Sequence, residues 1–196
     1  MPRTPEANQQ LRDQRQTQIR ATAAAVFAQN GYVGTRVDDI AAASGISKGL
    51  IYHYFGGKAA LFVILVRRAA EGSIRLYQAA EQLPDNATTR LSWLVDQAMV
   101  GIREQSNLFM VIMQALVSDA VPSEARAEAN RLAVETHQIM TNLIRDGQHE
   151  GTLISGDPEQ LSLLFSACIE GLAVSHAMTG TTPAVRNTLL SLFTAG

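Results

Sequence analysis

Thr35-Arg36-Val37-Asp38-Asp39-Ile40-Ala41-Ala42-Ala43-Ser44-Gly45-Ile46-Ser47-Lys48-Gly49-Leu50-Ile51-Tyr52-His53-Tyr54-Phe55-Gly56-Gly57-Lys58 reads as two short helices joined by a tight turn. The pattern predicts a helix over residues 37–44, with Ile40 and Ala41 inward and Ala42 and Ala43 small enough for close packing. Gly45 falls where the chain must leave that helix, and glycine tolerates the positive φ needed there. Ile46 would anchor the turn, and Ser47 can cap the next helix, its hydroxyl accepting from an orphan N–H. The second helix, residues 48–55, would present Lys48, Gly49, Tyr52 and His53 outward and Ile51 and Phe55 inward. Such a helix-turn-helix places its second helix in the major groove, residues near its N-terminus on base edges.

Each outward residue suits that task. Lys48, near a helix N-terminus, can reach a phosphate or a guanine edge. Tyr52 can rest its ring on the domain and offer its hydroxyl to phosphate. Gly56-Gly57-Lys58 opens a further helix, so backbone N–H groups and an ammonium can converge on one phosphate oxygen. Asp38 and Asp39 suit the positive end of their helix dipole. Tyr54 and Phe55 read as core.

The run Gly45-Ile-Ser-Lys-Gly-Leu-Ile-Tyr-His-Tyr-Phe-Gly-Gly-Lys-Ala-Ala-Leu61 closely resembles the signature of TetR-family transcriptional regulators. Upstream, Ile19-Arg-Ala-Thr-Ala-Ala-Ala-Val-Phe-Ala-Gln-Asn-Gly-Tyr-Val-Gly-Thr-Arg36 looks like that family's first helix and its exit. The match spans roughly residues 12–65; the remainder is similar only in length and helical character. The resemblance implies DNA contacts at Lys48, Gly49, Tyr52, His53 and Lys58, with Thr35 and Arg36 meeting the backbone beside Ser47. The Gly56-Gly57 pair departs from the family pattern, where a polar residue or proline is commoner.

Charge is distributed accordingly. The 196 residues carry a net −2, which alone says nothing about nucleic acid. Residues 1–68, however, hold nine Lys/Arg against four Asp/Glu, and residues 69–196 hold seven against fourteen. A basic N-terminal third on an acidic body is the footprint of a protein meeting phosphate at one end. With 46% apolar and 17% charged residues the chain can bury a sizeable core.

Beyond the head the pattern is helical throughout and predicts an all-α protein of about nine helices. The DNA-binding domain would cover residues 1–58, its first ten a disordered tail whose Arg3 could touch DNA. A ligand-binding and dimerisation domain would cover residues 59–196. The helices are expected at 11–29, 37–44, 48–55, 58–82, 88–104, 108–118, 123–149 and 158–178, with a last one opened by Pro183. No secretory h-region is visible, and no run reads as the ~18 apolar residues of a membrane span. A cytoplasmic protein without membrane association is expected. One cysteine, Cys168, excludes an intramolecular disulfide and a cysteine metal cluster.

A single helix-turn-helix reads few base pairs, so such proteins pair over half-sites ~34 Å apart. The last two helices are the expected homodimer interface. The first offers small residues (Ala167, Gly171, Ser175) with Leu172 and Val174 to fill the seam; the second adds Val185, Leu189 and Phe193. The resemblance implies a four-helix interface made by these helices from both subunits. It also raises the expectation of an effector pocket in the body. Trp93, Met99, Phe109, Met110, Met113, His137, Met140, Phe165, Cys168 and His176 are its candidate walls, since adaptable methionines suit varied apolar ligands. Each also reads as ordinary core.

Enzyme chemistry finds no support. Gly56-Gly57-Lys58 is not a P-loop, no Gly-x-Ser-x-Gly elbow is present, and His53, His137, His149 and His176 lack metal-ligand spacing. No catalytic residue, metal or cofactor is expected. The expectation is a homodimeric DNA-binding regulator, a repressor released from operator DNA by a small, largely apolar ligand. The competing reading is a ligand-blind architectural DNA binder.

Overall fold

Ile19, Ala23 and Phe27 recur at helical spacing, and all three are fully buried. They lie on α1 (Pro5–Gly34), which carries a break at Gly31. The computed structural model describes residues 5–195, and among these nine helices follow in order. They are α1, α2 (Val37–Ala43), α3 (Lys48–Phe55), α4 (Lys58–Glu81), α5 (Ala87–Glu104), α6 (Ser106–Val117), α7 (Ser123–His149), α8 (Pro158–Thr179) and α9 (Arg186–Ser191). Residues 5–10 of the expected tail are therefore helical, while Arg3 lies outside the described residues.

Two apolar clusters organise the chain. The first joins Phe27, Ile40, Ile51 and Phe55 of the head to Leu61, Phe62, Leu65 and Val66 of α4. It continues into Val111, Ile112 and Ala115 of α6 and Ala125 and Ala129 of α7. Packing thus runs across residue 58 without a seam. A polar link reinforces this, because Gln114 Nε2 on α6 donates to the Phe27 carbonyl at 2.8 Å. The second cluster lies in the body: Leu91, Leu94 and Val95 of α5 meet Met140, Leu143 and Ile144 of α7 and Phe165 of α8. α4 packs along α7 and carries the connection between the two, helped by the Arg67–Glu128 ion pair at 2.8 Å.

The C-terminal helix differs from expectation. Pro183 does not open it; Val185 is the cap residue, and the helix has six residues. Its place is fixed by side chains far away in sequence. Arg186 forms a two-pronged ion pair with Asp96 and donates to Ser92 Oγ at 2.6 Å, tying α9 to α5. The chain then leaves the helix, and Ile154 N donates to the Phe193 carbonyl at 2.9 Å beside the isolated bridge Leu153–Thr194. Gly147 permits this closure, since a Cβ there would fall 2.8 Å from Ala87 Cβ and closer to Leu153.

α8 also corrects an expectation. By length and composition it is apolar enough to cross a membrane. Its inner side packs on α5, α6 and α7, while Leu163, Leu164 and Met178 face outward, Met178 being 81% exposed. Apolar residues thus lie on both sides of α8 rather than along one stripe, and the outward Leu163, Leu164 and Met178 extend the small-residue face expected there.

Candidate nucleic-acid interface

Arg36, in extended conformation, caps α2, and the Asp39 carboxylate accepts from its backbone N–H at 2.7 Å. That is the returning half of a capping box. Asp38, one residue earlier, has a different partner: its Oδ2 lies 2.9 Å from Lys48 Nζ at the start of α3. The two short helices are joined through Gly45, whose φ of 64° only glycine adopts cheaply. Ser47 is extended and is the α3 cap residue by backbone. Its hydroxyl, expected to accept from α3, makes no such bond; its carbonyl accepts from Leu50 N at 3.0 Å instead. The hydroxyl therefore stays on the exposed face.

α3 presents Lys48, Gly49, Tyr52 and His53 to solvent, while Ile51 and Phe55 are buried. Tyr52 is half exposed, and its ring is held from behind: a Cβ on Gly57 would stand 3.1 Å from Tyr52 Cε1. Gly57 also has φ 116°, so it permits both the turn and the seat of the tyrosine. The Gly-Gly pair that departs from the family pattern thus has a steric function.

Two expected DNA contacts are differently employed. Thr35 is 1% exposed, and its hydroxyl donates to the Gly31 carbonyl at 2.7 Å, so it braces the end of α1 rather than facing outward. Lys58 donates to the carbonyls of Tyr32 at 2.9 Å and Thr35 at 3.0 Å. Its ammonium also lies 4.3 Å from the centroid of the Tyr32 ring, which packs in turn on Phe27 and Phe62. Two of its three N–H donors are committed to these carbonyls, so Lys58 ties α4 to the α1–α2 corner. Spacing could not reveal this, because the accepting carbonyls are backbone groups more than twenty residues away.

The body residues fall into two groups. Met99, Met140 and Phe165 are buried in the second cluster, with Trp93 and Cys168 packed against it. Phe109, Met110 and Met113 are half-buried on α6. His137 Nδ1 lies 2.9 Å from Ser162 Oγ across the α7–α8 contact, and His176 Nδ1 lies 2.9 Å from Thr182 Oγ1. Among the described residues two open depressions are seen, one between α4 and the start of α7, the other between α8 and α9. The second is lined by Ala167, Cys168, Gly171, Leu172, Val185 and Leu189 among others. Among the residues expected at a dimer interface, Leu189 and Phe193 are instead buried within the chain, Phe193 edge-on to Phe165. Ala167 and Gly171 are exposed, and Leu172, Val174, Ser175 and Val185 are half-buried.

Residues 19–64 match the family model of bacterial regulatory proteins, tetR family. Across 156 residues the chain is 30% identical to the HTH-type transcriptional repressor SCO4008 of Streptomyces coelicolor, covering 79% of this chain and 76% of the relative. The chain belongs to the TetR family. The HTH-type transcriptional repressor KstR2 of Rhodococcus jostii is 28% identical over 153 residues, 77% of this chain and 74% of the relative. Among solved structures the MbdR regulator from Azoarcus sp. CIB superposes with a TM-score of 0.80 at 22% identity, covering 91% of this chain and 96% of that one. As a TetR-family member the chain is a DNA-binding transcriptional regulator, and α2–α3 has the helix-turn-helix arrangement.

Proposed function

We propose that the chain is a homodimeric repressor whose two α3 helices enter successive major grooves of an operator, and that a small, largely apolar ligand releases it. The observation that carries the DNA contacts is the solvent face of α3, where Lys48, Gly49, Tyr52 and His53 lie together. Arg36 and Ser47 flank this face on the side that would meet the backbone. Thr35 and Lys58 act behind it, by holding the α1–α2 corner and α4 in register.

Repression is supported by the two relatives named above, both of which are called repressors. Pairing is supported by the apolar outward face of α8, with Leu163, Leu164 and Met178 exposed beside Ala167 and Gly171. Isolated exposed apolar residues are ordinary, but a contiguous apolar helix face marks an interface. Release is supported by the unbroken packing from the body into the head, through α6, Gln114 and α4. A ligand that separates Met99, Met140 and Phe165 to make room would shift α4 or α6 and hence the separation of the two α3 helices. Methionine side chains repack readily, which favours such a site. The ligand acts only if it prefers the state that fits DNA less well.

The test is native mass spectrometry of the purified protein, followed by solvent extraction of any bound molecule and its return to a protein–operator complex. Release of the labelled duplex by the extract, and not by solvent alone, is expected. Binding of the extracted molecule without change in operator affinity would refute the release mechanism.

A further inference from the structure

Asp38 faces the same solvent region as the α3 surface and yet is acidic, where a carboxylate should repel phosphate. Its neighbour Asp39 already caps α2, so Asp38 has no capping duty. What it does have is Lys48, at 2.9 Å, with the two side chains 52% and 62% exposed for the lysine and aspartate respectively. The pair bridges ten residues and the whole turn, from the first turn of α2 to the first residue of α3. The hydrogen bond that Lys48 donates to Asp38 also raises the basicity of its ammonium above the ordinary lysine value.

We infer that Asp38 is a specificity-determining residue, which occupies the Lys48 ammonium so that it contributes little to sequence-independent phosphate binding. The inference rests on Lys48 being a DNA contact. An unpaired lysine at a phosphate releases counterions and strengthens binding to any duplex. A lysine already paired with a carboxylate brings no net charge to that encounter. At a guanine the balance differs. O6 and N7 can take the two ammonium protons that Asp38 leaves free, so the base contact and the ion pair coexist. Asp38 therefore lowers the non-specific background more than it lowers operator affinity. The positive charge that draws the head to DNA is left to groups such as Arg36.

The magnitude follows from counterion release. Freeing one lysine per subunit adds about 0.9 to the slope of log K against log salt. Relative to about 1 M salt, that slope corresponds to roughly fifteenfold tighter non-specific binding per subunit at about 50 mM salt, and about fourfold at about 200 mM.

The experiment uses the full-length protein and a duplex that the wild type itself enriches from a random pool, with a scrambled duplex as the non-specific probe. Anisotropy titrations at several salt concentrations compare wild type, Asp38→Asn, Asp39→Asn, Lys48→Met and the Asp38→Asn/Lys48→Met double variant. For Asp38→Asn the scrambled duplex should bind several-fold tighter with a steeper salt slope. The selected duplex should gain less than about threefold, so the specificity ratio falls. Asp39→Asn removes the same charge from the same turn and should not reproduce this. Replacing Lys48 first should abolish the effect of Asp38→Asn. An unchanged ratio, the same change from Asp39→Asn, or persistence of the effect without Lys48 would each overturn the inference while leaving DNA recognition intact. If the folded wild type enriches no sequence, recognition by α3 itself fails, and the inference with it.

Discussion

Replacing Lys58 with methionine separates a clamp from a phosphate contact. Methionine keeps most of the stem and removes the ammonium, hence two hydrogen bonds to the Tyr32 and Thr35 carbonyls and the contact with the Tyr32 ring. Hydrogen bonds to charged groups contribute ~1.5–3 kcal/mol each, and a cation over an aromatic face ~0.5–1 kcal/mol where water has access. Lys58 is only half-buried, and the freed carbonyls can take water, so the low end applies and the interactions are not additive. A loss of about 2 kcal/mol is expected, equivalent to a drop in Tm of roughly 4–8 °C for a chain of this size. The assay is urea and thermal unfolding followed by circular dichroism, at one fixed protein concentration because association shifts the apparent midpoint. Lys48→Met, at an exposed ion pair, is the comparison and should fall within about 0.5 kcal/mol of wild type. A Lys58→Met protein that unfolds with the wild type while losing operator affinity would refute the clamp and restore Lys58 as a plain phosphate contact.

Tyr52→Phe keeps the ring on Gly57 and removes only the exposed hydroxyl, so operator affinity should fall by about 1 kcal/mol with no change in the melting curve; a shifted melt would make Tyr52 a core residue. Gly147→Ala should destabilise by roughly 1–3 kcal/mol in urea titrations, because its Cβ would collide with Ala87 and Leu153. The Arg186 guanidinium hydrogen-bonded to Asp96 holds that carboxyl below its ordinary value. The pair's contribution is thus complete above the unfolded carboxylate range, near pH 4, and is lost as pH falls through the lowered value. Hydrogen-exchange protection of α9 amides, corrected for the intrinsic pH dependence of exchange, should fall over that interval in the wild type and already be reduced at neutral pH in Asp96→Asn. Ala167→Arg places a charge on the outward face of α8, and sedimentation should show monomers whose half-site binding survives but whose operator affinity collapses; a dimer that persists would move the interface elsewhere.

Local signals carried the head. Helix spacing, the Gly45 exit and the inward set Ile40, Ile51 and Phe55 depend on neighbours a few residues apart, and the structure has α3 over the same residues as the sequence reading. Several discrepancies share one cause: the deciding partner is remote in sequence or is a backbone group. Thr35 looks like an exposed DNA-backbone contact until Gly31 turns its carbonyl toward the hydroxyl. Lys58 looks free until the α1–α2 corner folds over it. The last helix looks longer because Pro183 favours a start, whereas Arg186 and Asp96, ninety residues apart, set its position. Leu189 and Phe193 have the spacing of an interface, but only the return of the chain past Leu153 shows them facing inward. Apolar periodicity reports that a side chain will be buried; it does not report whether the cover is the same chain or a second copy.

The most direct test of the central claim, sequence-specific DNA reading by α3, is enrichment of duplexes from a random pool by the wild type and by a Lys48→Ala/Tyr52→Ala variant, with anisotropy at two salt concentrations. The wild type should enrich paired half-sites about one helical turn, ~34 Å, apart and bind them over a weak, salt-sensitive background, and the variant should keep only the background. Equal, salt-sensitive binding of every duplex by both proteins would contradict that claim and favour an architectural DNA binder.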